Sequence, residues 1–138
     1  MSNIGGIART RTGSRARTAL QITAVLSALE ILFQGATAGQ IISRHEGIVP
    51  VHGGGAIAFH VFSALMLISA AALWWAERGS VWPTVVSAVV FILGLVEAYL
   101  GDSGILTVHV PIAILLALGT AWVLAWSFLA GRSARHSA

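Results

Sequence analysis

Four apolar runs divide the chain, at residues 19–42, about 52–76, 83–100 and 105–130. At about 1.5 Å of rise per residue, each is long enough, or nearly so, to cross a hydrocarbon core roughly 30 Å thick. The pattern predicts an all-α protein, a four-helix transmembrane bundle. Residues 1–18 and 131–138 carry arginines among small polar residues and read as short cytoplasmic basic tails. Pro83 suits the first turn of the third helix, and Glu77-Arg78-Gly79-Ser80 reads as a tight turn before it.

Polar positions inside these runs are few and ordered. In the first run Thr23, Ser27, Glu30, Gln34 and Thr37 recur at steps of four, three, four and three. That spacing places them on one helical face. In a bilayer such a face turns into the protein, because polar groups are costly in lipid. In the second run Gly53, Ala56, His60 and Ser63 form a small and polar face suited to helix packing. The third run holds Gly94 and Glu97, and the fourth opens around His109.

A repeat relates the two halves. Gly47-Ile-Val-Pro-Val-His52 and Gly104-Ile-Leu-Thr-Val-His109 both read G-I-x-x-V-H, and Ala56 and Ala113 extend the match. A shift of 57 residues aligns them without a gap and sets Gln40 on Glu97. Each half is then one helical hairpin, and the pair is related by an axis along the membrane normal. A competing shift of 49 residues puts His60 on His109. The partner of His109 is therefore His52 by the repeat or His60 by its helical face.

Composition narrows the class. Only 9% of residues are charged, against about 25% in an average soluble chain. There is no cysteine, which excludes disulfides, thiolate metal sites and iron–sulfur clusters. All eight basic residues are arginines, which we read as the bias of a GC-rich bacterial genome. Seven of them lie in the two tails and the middle turn, and only Arg44 lies in the other connections. The positive-inside rule then puts both termini in the cytoplasm and His52 and His109 near the outer face of the inner membrane. The expected partner is the lipid bilayer. No stretch interleaves bases with aromatics as a nucleic-acid site would.

Two neutral imidazoles at matched depth on two helices are able to ligate haem iron from both faces. That makes His109, with His52 or His60, the candidate ligand pair for a haem b that transfers or senses electrons. A quinone or another membrane redox protein is the expected partner. Zinc or copper would want a third ligand, for which His45 and Glu46 are at hand. Glu30, Gln34 and Glu97 are further buried polar candidates. Two other readings stand beside haem: a non-catalytic subunit with structural histidines, and a small proton-coupled carrier built on Glu30. His136 reads as a solvated tail residue.

The hairpin layout, with histidines at the outer starts of helices two and four, resembles one four-helix half of the haem A synthase family. The run Glu97-Ala-Tyr-Leu-Gly-Asp-Ser-Gly-Ile-Leu-Thr-Val-His109-Val-Pro-Ile-Ala113 is similar to that family's Gln/Glu, Gly, then His-x-x-x-Ala pattern. The family's Glu-x-x-His-Arg signature and cysteine pair are absent. The resemblance thus implies a haem-holding bundle and not the synthase reaction. The layout is also similar to that of short four-span bacterial membrane families.

Overall fold

The computed structural model describes the backbone of residues 3–136 and the side chains of residues 11–45 and 47–130. The side chains of Arg9, Glu46, Arg132, Arg135 and His136 therefore lie outside the described ones. Four helices account for most of the chain: α1 (Asn3–Ile42), α2 (Val49–Glu77), α3 (Trp82–Asp102) and α4 (Leu106–His136). A 3-10 turn, Glu46–Ile48, precedes α2. Among the described residues, spans of 32, 29, 21 and 25 residues are long and apolar enough to cross a membrane. The protein is an all-α, four-helix membrane bundle.

The helices form a closed ring. α1 packs on α2, α2 on α3, α3 on α4, and α4 back on α1. Among the described residues, the diagonals, α1 with α3 and α2 with α4, bring no Cα pair within 8 Å. Neighbours run antiparallel. Arg17 meets Glu77 at one end of the first hairpin, and Gln34 meets His52 at the other. The two ends are called here the tail end, which holds Arg17 and Glu77, and the histidine end.

The interior mixes apolar side chains, among them Leu20, Phe59, Met66 and Val123, with hydroxyl residues, and the exterior is apolar. Ser27, Ser63, Ser87 and Ser127 are 0% exposed, whereas Leu32 is 69%, Ile57 69% and Leu118 63% exposed. Large apolar side chains face outward because lipid tails solvate them. Small and hydroxyl side chains face inward because they let helix backbones approach. The buried positions repeat at steps of three and four: Pro83, Ser87, Val90 and Gly94 on α3, and Leu116, Thr120, Val123 and Ser127 on α4. That is the seam of a left-handed bundle. On α2 the buried stripe is Gly55, Phe59, Ser63 and Met66. Of the small face expected at Gly53, Ala56, His60 and Ser63, Ser63 lies on this stripe, Ala56 and His60 are half-buried beside it, and Gly53 lies in open space.

Several boundaries extend beyond the apolar runs. α1 begins at Asn3, so residues 3–18, which look like a polar tail in the sequence, continue the first helix. Arginine and alanine favour helix, and the arginines leave Gly13, Ala16 and Leu20 on one buried face. A Cβ at Gly13 would stand 3.1 Å from Glu77 Cγ, so this glycine admits the end of α2. Arg17 closes the contact with a 2.6 Å bridge to Glu77. α2 starts at Val49, with Pro50 in its first turn, and runs helically through Gly53–Gly55. Asp102 falls in the last turn of α3.

The α2–α3 turn rests on Arg78, whose left-handed backbone (φ 53°) ends α2 and lets its N–H bond to Trp74 O at 2.8 Å. Its guanidinium lies 4.6 Å from the centre of the Trp75 ring, an attraction that offsets part of the backbone cost. α3 and α4 approach closely at Gly119, where a Cβ would stand 2.7 Å from Val90 Cγ2. Gly119→Leu should therefore cost about 1–3 kcal/mol through overpacking and lower the melting temperature in detergent. Gly39→Ala, at an open position, should not lower it.

Candidate functional site

The repeat places His52 and His109 identically. Each is the fourth residue of its helix, α2 from Val49 and α4 from Leu106. These two helices face each other across the bundle diagonal. His52 Nδ1 lies 2.8 Å from Thr37 Oγ1 on α1. The Thr37 hydroxyl proton is directed at the carbonyls of Phe33 (3.0 Å) and Gln34 (3.1 Å). Its oxygen is then the acceptor, and His52 Nδ1–H donates. His109 Nδ1–H donates to Glu97 O on α3 at 3.0 Å, with Glu97 Oε1 3.2 Å from the same nitrogen.

Each imidazole is thus tied through Nδ1 to the preceding helix of its own hairpin. This fixes the tautomer and leaves Nε2 as the bare nitrogen. His109 packs onto Gly101, where a Cβ would meet the ring at 2.8 Å. Glycine is required there for the ring to lie against α3.

His60 is held differently. Its Nδ1–H donates to Ala56 O on its own helix at 2.6 Å. Phe59 and Phe91 meet the ring edge to face, with centroids 6.1 and 6.5 Å away. Its Nε2 is buried without a hydrogen-bond partner. Gly94 of α3 leaves room for it, since a Cβ there would lie 3.0 Å from Phe59 Cε1 and 3.7 Å from His60 Nε2.

Glu30 and Gln34 form a lock between α1 and α2. The Gln34 amide donates both protons, to Glu30 Oε1 at 3.1 Å and to His52 O at 3.2 Å. The lock sits over Gly55, where any Cβ would collide with the Gln34 amide and stand 2.6 Å from Glu30 Oε1. Of the three consecutive glycines, only Gly55 is needed for a close approach. Glu97 completes the cluster, 17% exposed, with its carboxylate beside His109.

The polar candidates of the sequence are therefore brought to one half of the bundle. The sequence reading missed the anchoring role of Thr37 and the specific roles of Gly55 and Gly101. Thr37 was visible as the last member of the α1 polar face, but its partner was not. Among the described residues, no group of three or more His, Cys, Asp or Glu side chains is placed to hold a metal ion. His45 is exposed in the connection, and the Glu46 side chain lies outside the described ones. A shallow apolar groove lined by Ile22, Val25 and Phe128 lies between α1 and α4, in the other half of the bundle.

Compared with known family models, curated proteins and solved structures, the chain matches none.

The anchoring scheme predicts that nitrogen-15 spectra of histidine-labelled protein show His52, His60 and His109 each carrying a proton on Nδ1. An Nε2–H tautomer at His109 would contradict its bond to Glu97 O.

Proposed function

We propose that the histidine end would hold a b-type haem between α2 and α4, with His52 and His109 as the residues that bind it. The reading rests on one observation: two repeat-related imidazoles on diagonal helices, each held from behind at Nδ1, with Nε2 left to a ligand. The donor set fits haem better than zinc or copper, which want three or four protein ligands. A haem bound there would supply one-electron chemistry.

The chain's own residues orient and insulate. Thr37 and the Glu97 carbonyl hold the imidazole planes and make the ring nitrogens better donors. Phe59 and Phe91 give the interior beside the site an aromatic, low-dielectric wall. Glu30 and Gln34 close α1 onto α2, which favours a structural role for Glu30 over proton-coupled transport. The arginine distribution puts both termini in the cytoplasm and the histidine end near the outer face of a bacterial inner membrane. The electron partner is then a quinone or a membrane redox protein. The same Nδ1 bonds also suit purely structural histidines, and spectroscopy separates the two readings.

Protein expressed with added haem should show a Soret band that shifts on reduction. His52→Ala and His109→Ala should each lose most of it, while His60→Ala should retain it. Loss in His60→Ala with retention in His52→Ala would move the ligand to His60. Colourless wild-type protein would overturn the proposal.

A further inference from the structure

One outward stripe of α1 changes character along its length. Arg11, Arg15, Thr18, Ile22 and Val25 recur at steps of four, three, four and three, so they share one helical face. All five are exposed. The stripe is cationic at the tail end and apolar toward the middle of the bundle. Its apolar part forms a cleft with α4. Thr18, Gln21, Ile22, Val25, Leu26 and Phe128 line that cleft, around a volume of about 290 Å³. Beside it Gln21 Nε2 donates to Ser127 O at 3.1 Å and ties α1 to α4. From Arg15 to Val25 the rise is about 15 Å, half of a hydrocarbon core roughly 30 Å thick.

The solvent of this face is lipid, so an acyl chain is the natural filling of a narrow apolar cleft. The charge above the cleft decides which lipid. Seven arginines but one carboxylate, Glu77, belong to the two tails and the middle turn. That carboxylate is taken by Arg17 at 2.6 Å. Arg17 and Arg78 also lie over Trp126 and Trp75. Arg11 and Arg15 have no ion-pair partner among the described residues. Four residues apart on a helix, their side chains are neighbours, and two guanidinium forks match the oxygens of a phosphate. Basic pockets beside membrane helices recognise anionic headgroups in this way.

We propose that the α1–α4 cleft holds one anionic phospholipid, its phosphate at Arg11 and Arg15 and one acyl chain running along Ile22 and Val25 toward the middle of the bilayer. A neutral lipid or a second copy of the chain would cover the cleft without using the two arginines. The site lies in the half of the bundle away from the histidines and is independent of haem.

Native mass spectrometry of the detergent-solubilised protein tests this, with phosphatidylglycerol and phosphatidylcholine of the same acyl chains added in equal amounts. The unaltered protein should retain one phosphatidylglycerol at least about fivefold better, the scale of a single arginine at an anionic surface. Arg11→Gln combined with Arg15→Gln should retain the two lipids equally. Arg44→Gln, at an exposed arginine of the histidine end, should leave the preference intact. Val25→Trp, which fills the cleft, should lose the retained lipid, whereas Ile57→Trp on the exterior of α2, where Ile57 is 69% exposed, should keep it. Equal retention by the unaltered protein would overturn the proposal. A preference that survives the loss of both arginines, or that Val25→Trp leaves untouched, would overturn it as well. A dimer dispersed by Val25→Trp, with no lipid retained, would give the cleft to a second copy and refute the lipid site.

Discussion

A helix surrounded by hydrocarbon has only one direction in which to send an unpaired polar group, and that is inward. The arrangement of this bundle follows from that constraint. Serine and threonine from every helix line the interior, and leucine and isoleucine cover the outside. Many of the buried residues are small, and glycines mark points where a side chain of one helix reaches the backbone of another. Gly13 admits Glu77, Gly55 admits Gln34 and Glu30, and Gly101 admits His109. At each of these three glycines the approaching group is a polar side chain. The glycines and the polar cluster are therefore one feature: removing the Cβ on one helix makes space to satisfy a polar group from another.

The same constraint explains why the two halves of the bundle differ. At the tail end, charge is managed by pairing and stacking: Arg17 with Glu77 and over Trp126, and Arg78 over Trp75. Such groups sit well at an interface. In the histidine half, each imidazole is instead held at Nδ1 by a hydrogen bond to a backbone or hydroxyl oxygen. Those bonds fix orientation without requiring charge, which is what a neutral imidazole serving as a ligand needs. The duplication of the hairpin supplies the symmetry. His52 and His109 occupy equivalent places, yet their anchors differ, a threonine hydroxyl in one hairpin and a main-chain carbonyl in the other.

Much of this was legible in the chain. The four runs and their turns gave the helix count and order, because length and hydropathy alone decide what crosses a bilayer. The face of Thr23, Ser27, Glu30, Gln34 and Thr37 was readable from its spacing, and it does turn inward. Three things were not readable. The first helix extends to Asn3 because Gly13 and Ala16 find α2 beside them, a tertiary contact that tail composition conceals. The buried stripe of α2 runs through Gly55 and not Gly53, because a helix's rotation is set by its neighbours. The partners of His52 and His109 depend on the relative depth of two helices, which spacing along the chain does not fix.

The central claim is that two imidazoles, set by the repeat on diagonal helices, are held for a common metal centre. Electron paramagnetic resonance of the ferric, haem-loaded protein tests it most directly, because spin state reports the number and strength of axial ligands. The arrangement of His52 and His109 predicts a low-spin, six-coordinate signal, with high-spin iron emerging when either histidine is replaced. A high-spin signal from the unaltered protein, or a low-spin signal indifferent to both replacements, would contradict it.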